Sequence, residues 1–141
     1  MSEPSASAAS QPATGARALL LDPDLFFAVK VSAALKHIGL ETLTTRTAED
    51  WARRLAAERF AVALVNISAR GVDWTGAIQA ARAVGAPVIA YGSHVETEAH
   101  AQARAAGATR VIANSKLATD LPGIVERTLR GAQSSGAPPT D

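Results

Sequence analysis

Between Arg17 and Arg130 the chain alternates short apolar runs with segments of helical periodicity five times, and this constrains the fold more than any other feature. The apolar or β-branched runs are Ala18–Leu21, Leu40–Thr45, Phe60–Ile67, Pro87–Tyr91 and Thr109–Ala113. Phe60–Ile67 is apolar at nearly every position, as a parallel strand covered on both faces requires. After the first run, Leu25, Ala28, Val29, Ser32, Leu35 and Lys36 recur with a helical period, and Gly39 is placed to stop that helix in the left-handed conformation. Thr47-Ala48-Glu49-Asp50 has the pattern of a helix start, a capping threonine with an acid three residues on. Further helices are expected from about Trp74 to Val84, with a stop at Gly85, and from Glu96 to Ala106, with a stop at Gly107. The last helix is expected to open at Asp120-Leu121-Pro122, where a first-turn proline loses no hydrogen bond. A (βα)5 alternation implies a single α/β domain built on a doubly wound parallel sheet.

The 141 residues suffice for one such domain and its core. Residues 1–15 and 132–141 are rich in Ser, Ala, Pro, Thr and Gly, with no periodic apolar residues, and are expected to be disordered tails around a domain at 16–131. Net charge is +1, with the basic residues scattered along the chain, so neither nucleic acid nor an anionic membrane is an expected partner. Cysteine is absent, which excludes disulfides, thiolate metal sites and thiol catalysis. With neither a signal-peptide pattern nor a membrane-length apolar run, a cytoplasmic protein is expected.

In sheets of this kind ligands sit beyond the carboxyl ends of the strands. The residues there are Asp22, Pro23 and Asp24 after strand one, and Asn66, Ile67 and Ser68 after strand three, with Asp73 in the same loop. Gly92, Ser93 and His94 follow strand four, and Asn114, Ser115 and Lys116 follow strand five. Asp24 and Asp73 precede helices and read first as caps, and Asp22 as an acceptor of loop amides, ahead of metal binding. His94 and His100 are six apart and do not share a helical face, so no metal site is expected. Ser93 and His94 are adjacent and lack a third orienting group, which disfavours hydrolysis. Their turn is a ligand or partner contact, or ordinary turn chemistry. No glycine-rich phosphate cradle follows strand one, and no cofactor is expected. Leu25-Phe26-Phe27 is expected to be core, and Trp51 and Trp74 partly buried anchors of their helices.

Several of these residues carry a resemblance to the receiver domain of two-component response regulators. They are Leu20-Leu21-Asp22-Pro23-Asp24, Asn66 with Gly71-Val72-Asp73, Pro87-Val88-Ile89, and Gly107-Ala108. The resemblance implies strand order 2-1-3-4-5 and a phosphorelay function with a phosphate-accepting aspartate at the end of strand three. It also implies acids that hold Mg²⁺, a hydroxyl after strand four, a lysine after strand five and an aromatic switch residue within strand five. This chain has Asn66 at the acceptor position, and an amide cannot form an acyl phosphate. Pro23 stands where a direct metal ligand would be, Gly92 at the hydroxyl position with Ser93 one place late, Asn114 at the lysine position with Lys116 two places late, and Val111 at the switch position.

The expectation is therefore a degenerate receiver, not an enzyme, acting in signal transduction as a phosphorylation-independent interaction module. Its partner would be a protein, docking through helix four, strand five and helix five. The alternative is a small-molecule or anion-binding protein using the rim of strand ends.

Overall fold

The computed structural model describes residues 16–133. Tail residues 1–15 and 134–141 lie outside the described residues. Ten elements alternate strictly: β1 (Arg17–Leu21), α1 (Leu25–Lys36), β2 (Glu41–Thr45), α2 (Ala48–Ala57), β3 (Val62–Asn66), α3 (Trp74–Ala83), β4 (Val88–Gly92), α4 (Thr97–Ala106), β5 (Arg110–Ala113) and α5 (Asn114–Gln133). All strand pairings are parallel, and the spatial order is β2-β1-β3-β4-β5, the 2-1-3-4-5 arrangement expected. The order reverses between β1 and β3, so the ends of those two strands flank the crevice in which such sheets bind ligands.

Strand period two sorts the core into two layers. Leu19, Leu21, Ala63, Val65, Val88 and Ala90 face one way, against Trp51 and Leu55 of α2, Ile78 of α3 and Ala103 of α4. Ala18, Leu20, Val62, Leu64, Ile89 and Tyr91 face the other way, against Val31 and Leu35 of α1 and Leu121 and Val125 of α5. The three central strands are consequently buried on both faces, whereas edge strands β2 and β5 are only partly covered.

Local sequence accounts for most helix ends. The Asp24 carboxylate accepts from the amides of Phe26 (3.0 Å) and Phe27 (3.3 Å), Thr47 Oγ1 from Asp50 N (3.1 Å), and the Asp73 carboxylate from Gly76 N (3.0 Å). Gly107 closes α4 at φ 115°, in the left-handed region expected of it.

Four expectations are corrected. Helix α5 starts at Asn114, directly after β5, and Asp120 is a kink within it (φ −142°, ψ 27°), so Pro122 opens its second segment and not the helix. The same helix runs on through Ala132 and Gln133, two residues into the stretch whose composition predicts a tail. Trp51 is wholly buried, its indole Nε1 donating to Ala77 O at 2.9 Å, which ties α2 to α3. Leu25 and Phe26 are exposed, Phe26 at 73%, because Asp24 starts the helix with both on its outer face; only Phe27 turns inward, against Tyr91.

Candidate functional site: the rim of strand ends

Asp22 is the centre of the rim. It directly follows β1 and has no solvent exposure, in a position where an unpaired carboxylate would be costly. Its Oδ1 accepts from the Asp24 amide (2.9 Å) and from Asn66 Nδ2 (3.1 Å), and its Oδ2 accepts from the Tyr91 hydroxyl (2.7 Å). Three donors, one from the β1–α1 turn and one each from β3 and β4, thus satisfy the carboxylate, and none of them is a cation. Burial first, then the adjacent Asp22 charge and hydrogen bond, push the Tyr91 phenol well above its usual 10.0. Tyr91 is a locked donor, protonated throughout the physiological range.

Asn66 holds the junction through both ends of its amide. While Nδ2 donates to Asp22, Oδ1 accepts from Ser68 N at 2.8 Å. An aspartate here would put a second carboxylate against Asp22 and lose the donor.

Ser68 carries the network onward to β4. Its Oγ accepts from Ser93 N (2.9 Å) and donates to Glu96 Oε1 (2.9 Å), stitching the loop after β3 to the loop after β4. A Cβ placed on Gly92 would lie 2.8 Å from Ile67 Cγ1 and 2.9 Å from Ser68 Oγ. The space that a side-chain hydroxyl would need at position 92 is therefore filled by this bridge.

The remaining rim residues separate. Pro23 is half-buried in the β1–α1 turn, and the exposed Asp24 and Asp73 cap their helices as expected. Ser93 is partly buried and held by Ser68, with its carbonyl 3.1 Å from His100 Nε2, while His94 is exposed. The Asn114 amide oxygen is buried with no hydrogen-bond partner among the described residues. Lys116 makes no ion pair or hydrogen bond with Asp22 or Asn66; it lines a cleft beside β5, together with Val111. Among the described residues no group of three or more His, Asp or Glu side chains is arranged to hold a metal ion. No described helix is long and apolar enough to cross a membrane.

Sequence reasoning missed Tyr91 and Glu96, and placed Ser68 at the rim without its bridge to Glu96. Tyr91 could have been found: it is the only tyrosine, in a strand buried on both faces, and a buried phenol needs a partner. The Ser68–Glu96 bridge spans 28 residues with no local pattern to announce it.

No protein-family model matches the chain. Nor does any curated protein match it in sequence. Solved structures, by contrast, superpose over most of its length. A CheY-like response regulator receiver domain from Methanospirillum hungatei JF-1 has a TM-score of 0.76 at 22% identity, covering 86% of this chain and 98% of that one. The signal receiver domain of a Luxo repressor protein from Vibrio parahaemolyticus has a TM-score of 0.75 at 13% identity, covering 89% and 98%. A response regulator from Chloroflexus aurantiacus J-10-fl has a TM-score of 0.74 at 17% identity, covering 82% and 98%. The chain has the fold of CheY-like response regulator receiver domains. At these identities the likeness concerns the fold, and a fold of this type hosts many functions.

Proposed function

We propose that this chain is a degenerate receiver that serves signal transduction as a protein-interaction module and does not use phosphorylation. The observation that carries this reading is the closed network of Asp22, Asn66 and Tyr91. Phosphoryl transfer needs a nucleophile, a cation to neutralise the transferred group, and donors aimed at its oxygens. Here the position of the nucleophile is an amide, the carboxylate beside it is occupied by three protein donors, and Lys116 lines the cleft beside β5. Binding of a small molecule or anion at this rim draws less support, because the Asp22, Asn66 and Ser68 side chains already bond to one another and to the loops.

The test is exposure of the wild type and the Asn66→Asp variant to a small phosphodonor with Mg²⁺, read by intact mass. Neither protein is expected to gain a phosphoryl group, since Pro23 and Asn114 remain in the variant. Stoichiometric, acid-stable labelling of the wild type would overturn the proposal. Labelling of the variant alone would show that the site around position 66 is still competent.

A further inference from the structure

The two edges of the sheet are finished differently. Beside β5 the fold gathers Arg104, Arg110, Lys116 and Arg127 around one cleft, and charge along an edge deters the addition of a further strand. β2, at the other edge, reads Glu41-Thr42-Leu43-Thr44-Thr45, strand-forming residues with no proline and no charge after the first position. It pairs only with β1. Glu41 N donates to Ala16 O, and Thr45 O accepts from Asp22 N. By the alternation of a parallel ladder, the backbone groups of Glu41, Leu43 and Thr45 therefore turn toward β1, and those of Thr42 and Thr44 turn outward. No described strand pairs with that outer side.

The helix above this edge is apolar on the same side. Phe27, Val31 and Ala34 of α1 line the groove shared with α5, while Ala28, Val31 and Leu35 are buried. At 3.6 residues per turn, Leu25, Val29 and Lys36 then fall on the flank turned away from α5, toward the open edge of β2. Leu25 and Val29 are 54% and 67% exposed there.

We infer that β2 pairs antiparallel with β2 of a second copy of this chain, joining two five-stranded sheets into one and setting the two α1 helices side by side on one face. With the two-fold axis at Leu43, Thr42 and Thr44 of each copy exchange N–H···O bonds with Thr44 and Thr42 of the other. The two Leu43 side chains then meet as a close, non-hydrogen-bonded pair. Three observations select a second copy over a foreign strand. Glu41 and Arg46 stand at opposite ends of β2, and Asp24 and Lys36 at opposite ends of α1; all four are exposed, and among the described residues none forms an ion pair. A half-turn sets Arg46 beside the second copy's Glu41 and Asp24 beside its Lys36, so the charge pattern is its own complement. Thr42 Oγ1 is buried with no hydrogen-bond partner among the described residues, and in this register it stands opposite the Thr44 hydroxyl of the second copy. The same half-turn brings Leu25 and Val29 of the two helices together, covering apolar surface that β2 pairing alone would leave in water. The assembly does not depend on the chemistry of the rim.

The test is sedimentation velocity of the full chain over a concentration series, with amide hydrogen exchange read by NMR. A concentration-dependent dimer is expected, in which exchange at Thr42 and Thr44 slows at least tenfold while Arg110 and Ile112, on the outer side of β5, are unchanged. Thr44→Lys and Val29→Glu should each weaken association at least tenfold, with an unchanged circular dichroism spectrum. Because the chain has no cysteine, Leu43→Cys reports the register: on mild oxidation it should form a disulfide-linked dimer at least tenfold faster than Glu98→Cys on α4. A monomer throughout the series, protection at Arg110 and Ile112 in place of Thr42 and Thr44, or association indifferent to both charge variants would each overturn the inference. So would protection of Thr42 and Thr44 in a chain that sediments as a monomer, since the edge would then be covered from within the same chain. Phosphodonor labelling of the wild type would overturn the proposed function and leave this dimer in place.

Discussion

The rim of strand ends and the cleft beside β5 lie on the same sheet and treat their polar groups in opposite ways. At the rim, Asp22 is buried and accepts hydrogen bonds from Asn66, Tyr91 and the Asp24 amide. At the cleft, Arg104 and Lys116 are exposed and, among the described residues, have no partner of opposite charge. A group satisfied internally stabilises the fold and has little left to offer a ligand; a group left in solvent contributes little stability and is free to bind. The polar side chains of the rim hold the loops to one another, whereas the cations of the cleft face solvent. Substitutions at the two places should therefore affect different properties.

The largest effect is expected from Asp22→Ala. It strands the Tyr91 hydroxyl and the Asn66 amide in a buried setting, at a cost of about 2–4 kcal/mol, measurable by urea denaturation. A loss under about 0.5 kcal/mol would mean that the network is not what stabilises the rim. Gly92→Ser, which installs the hydroxyl expected of a working receiver, should cost about 1–3 kcal/mol, because its Cβ meets Ile67 and Ser68. If this variant were as stable as the wild type, the loop bridge would have to be pliant enough to open. Tyr91→Phe should cost about 1–2 kcal/mol and should also change the alkaline limb of stability. Because the folded phenol holds its proton above the usual 10.0 while the unfolded one releases it, wild-type stability falls as pH rises past that value. Removing the phenol removes this contribution, so the difference between wild type and variant should shrink at high pH. Smallest is the effect of Arg104→Glu/Lys116→Glu on folding, within about 0.5 kcal/mol. A large destabilisation there would erase the contrast between the two regions.

The layout of the domain was legible because each level of the sequence agreed with the next. Central strands read as continuous apolar runs, Asp24, Thr47 and Asp73 announced helix starts, and Gly107 announced a stop. That an amide stands in place of a carboxylate at the end of β3 is read directly from Asn66. The direction of the α1 start was not: Leu25 and Phe26 are as apolar as Phe27, and only the cap geometry of Asp24 determines which of the three turns inward. Nor was the early start of α5, since Asn114–Thr119 carries no strong cap and Pro122 draws the eye to a later boundary. The Ser68–Glu96 bridge and the basic cleft depend on residues distant in sequence, so charge that looks scattered along the chain becomes concentrated only after folding.

Amide-resolved NMR of the wild type tests directly whether the rim takes a cation or a phosphoryl group. Mg²⁺ would be added first, followed by a beryllofluoride phosphate mimic. The network described here predicts no saturable shifts at Asp22, Asn66, Gly92 or Asn114. Saturable shifts centred on those four residues would contradict it, and would show that the rim opens to bind a cation and a phosphate-like anion.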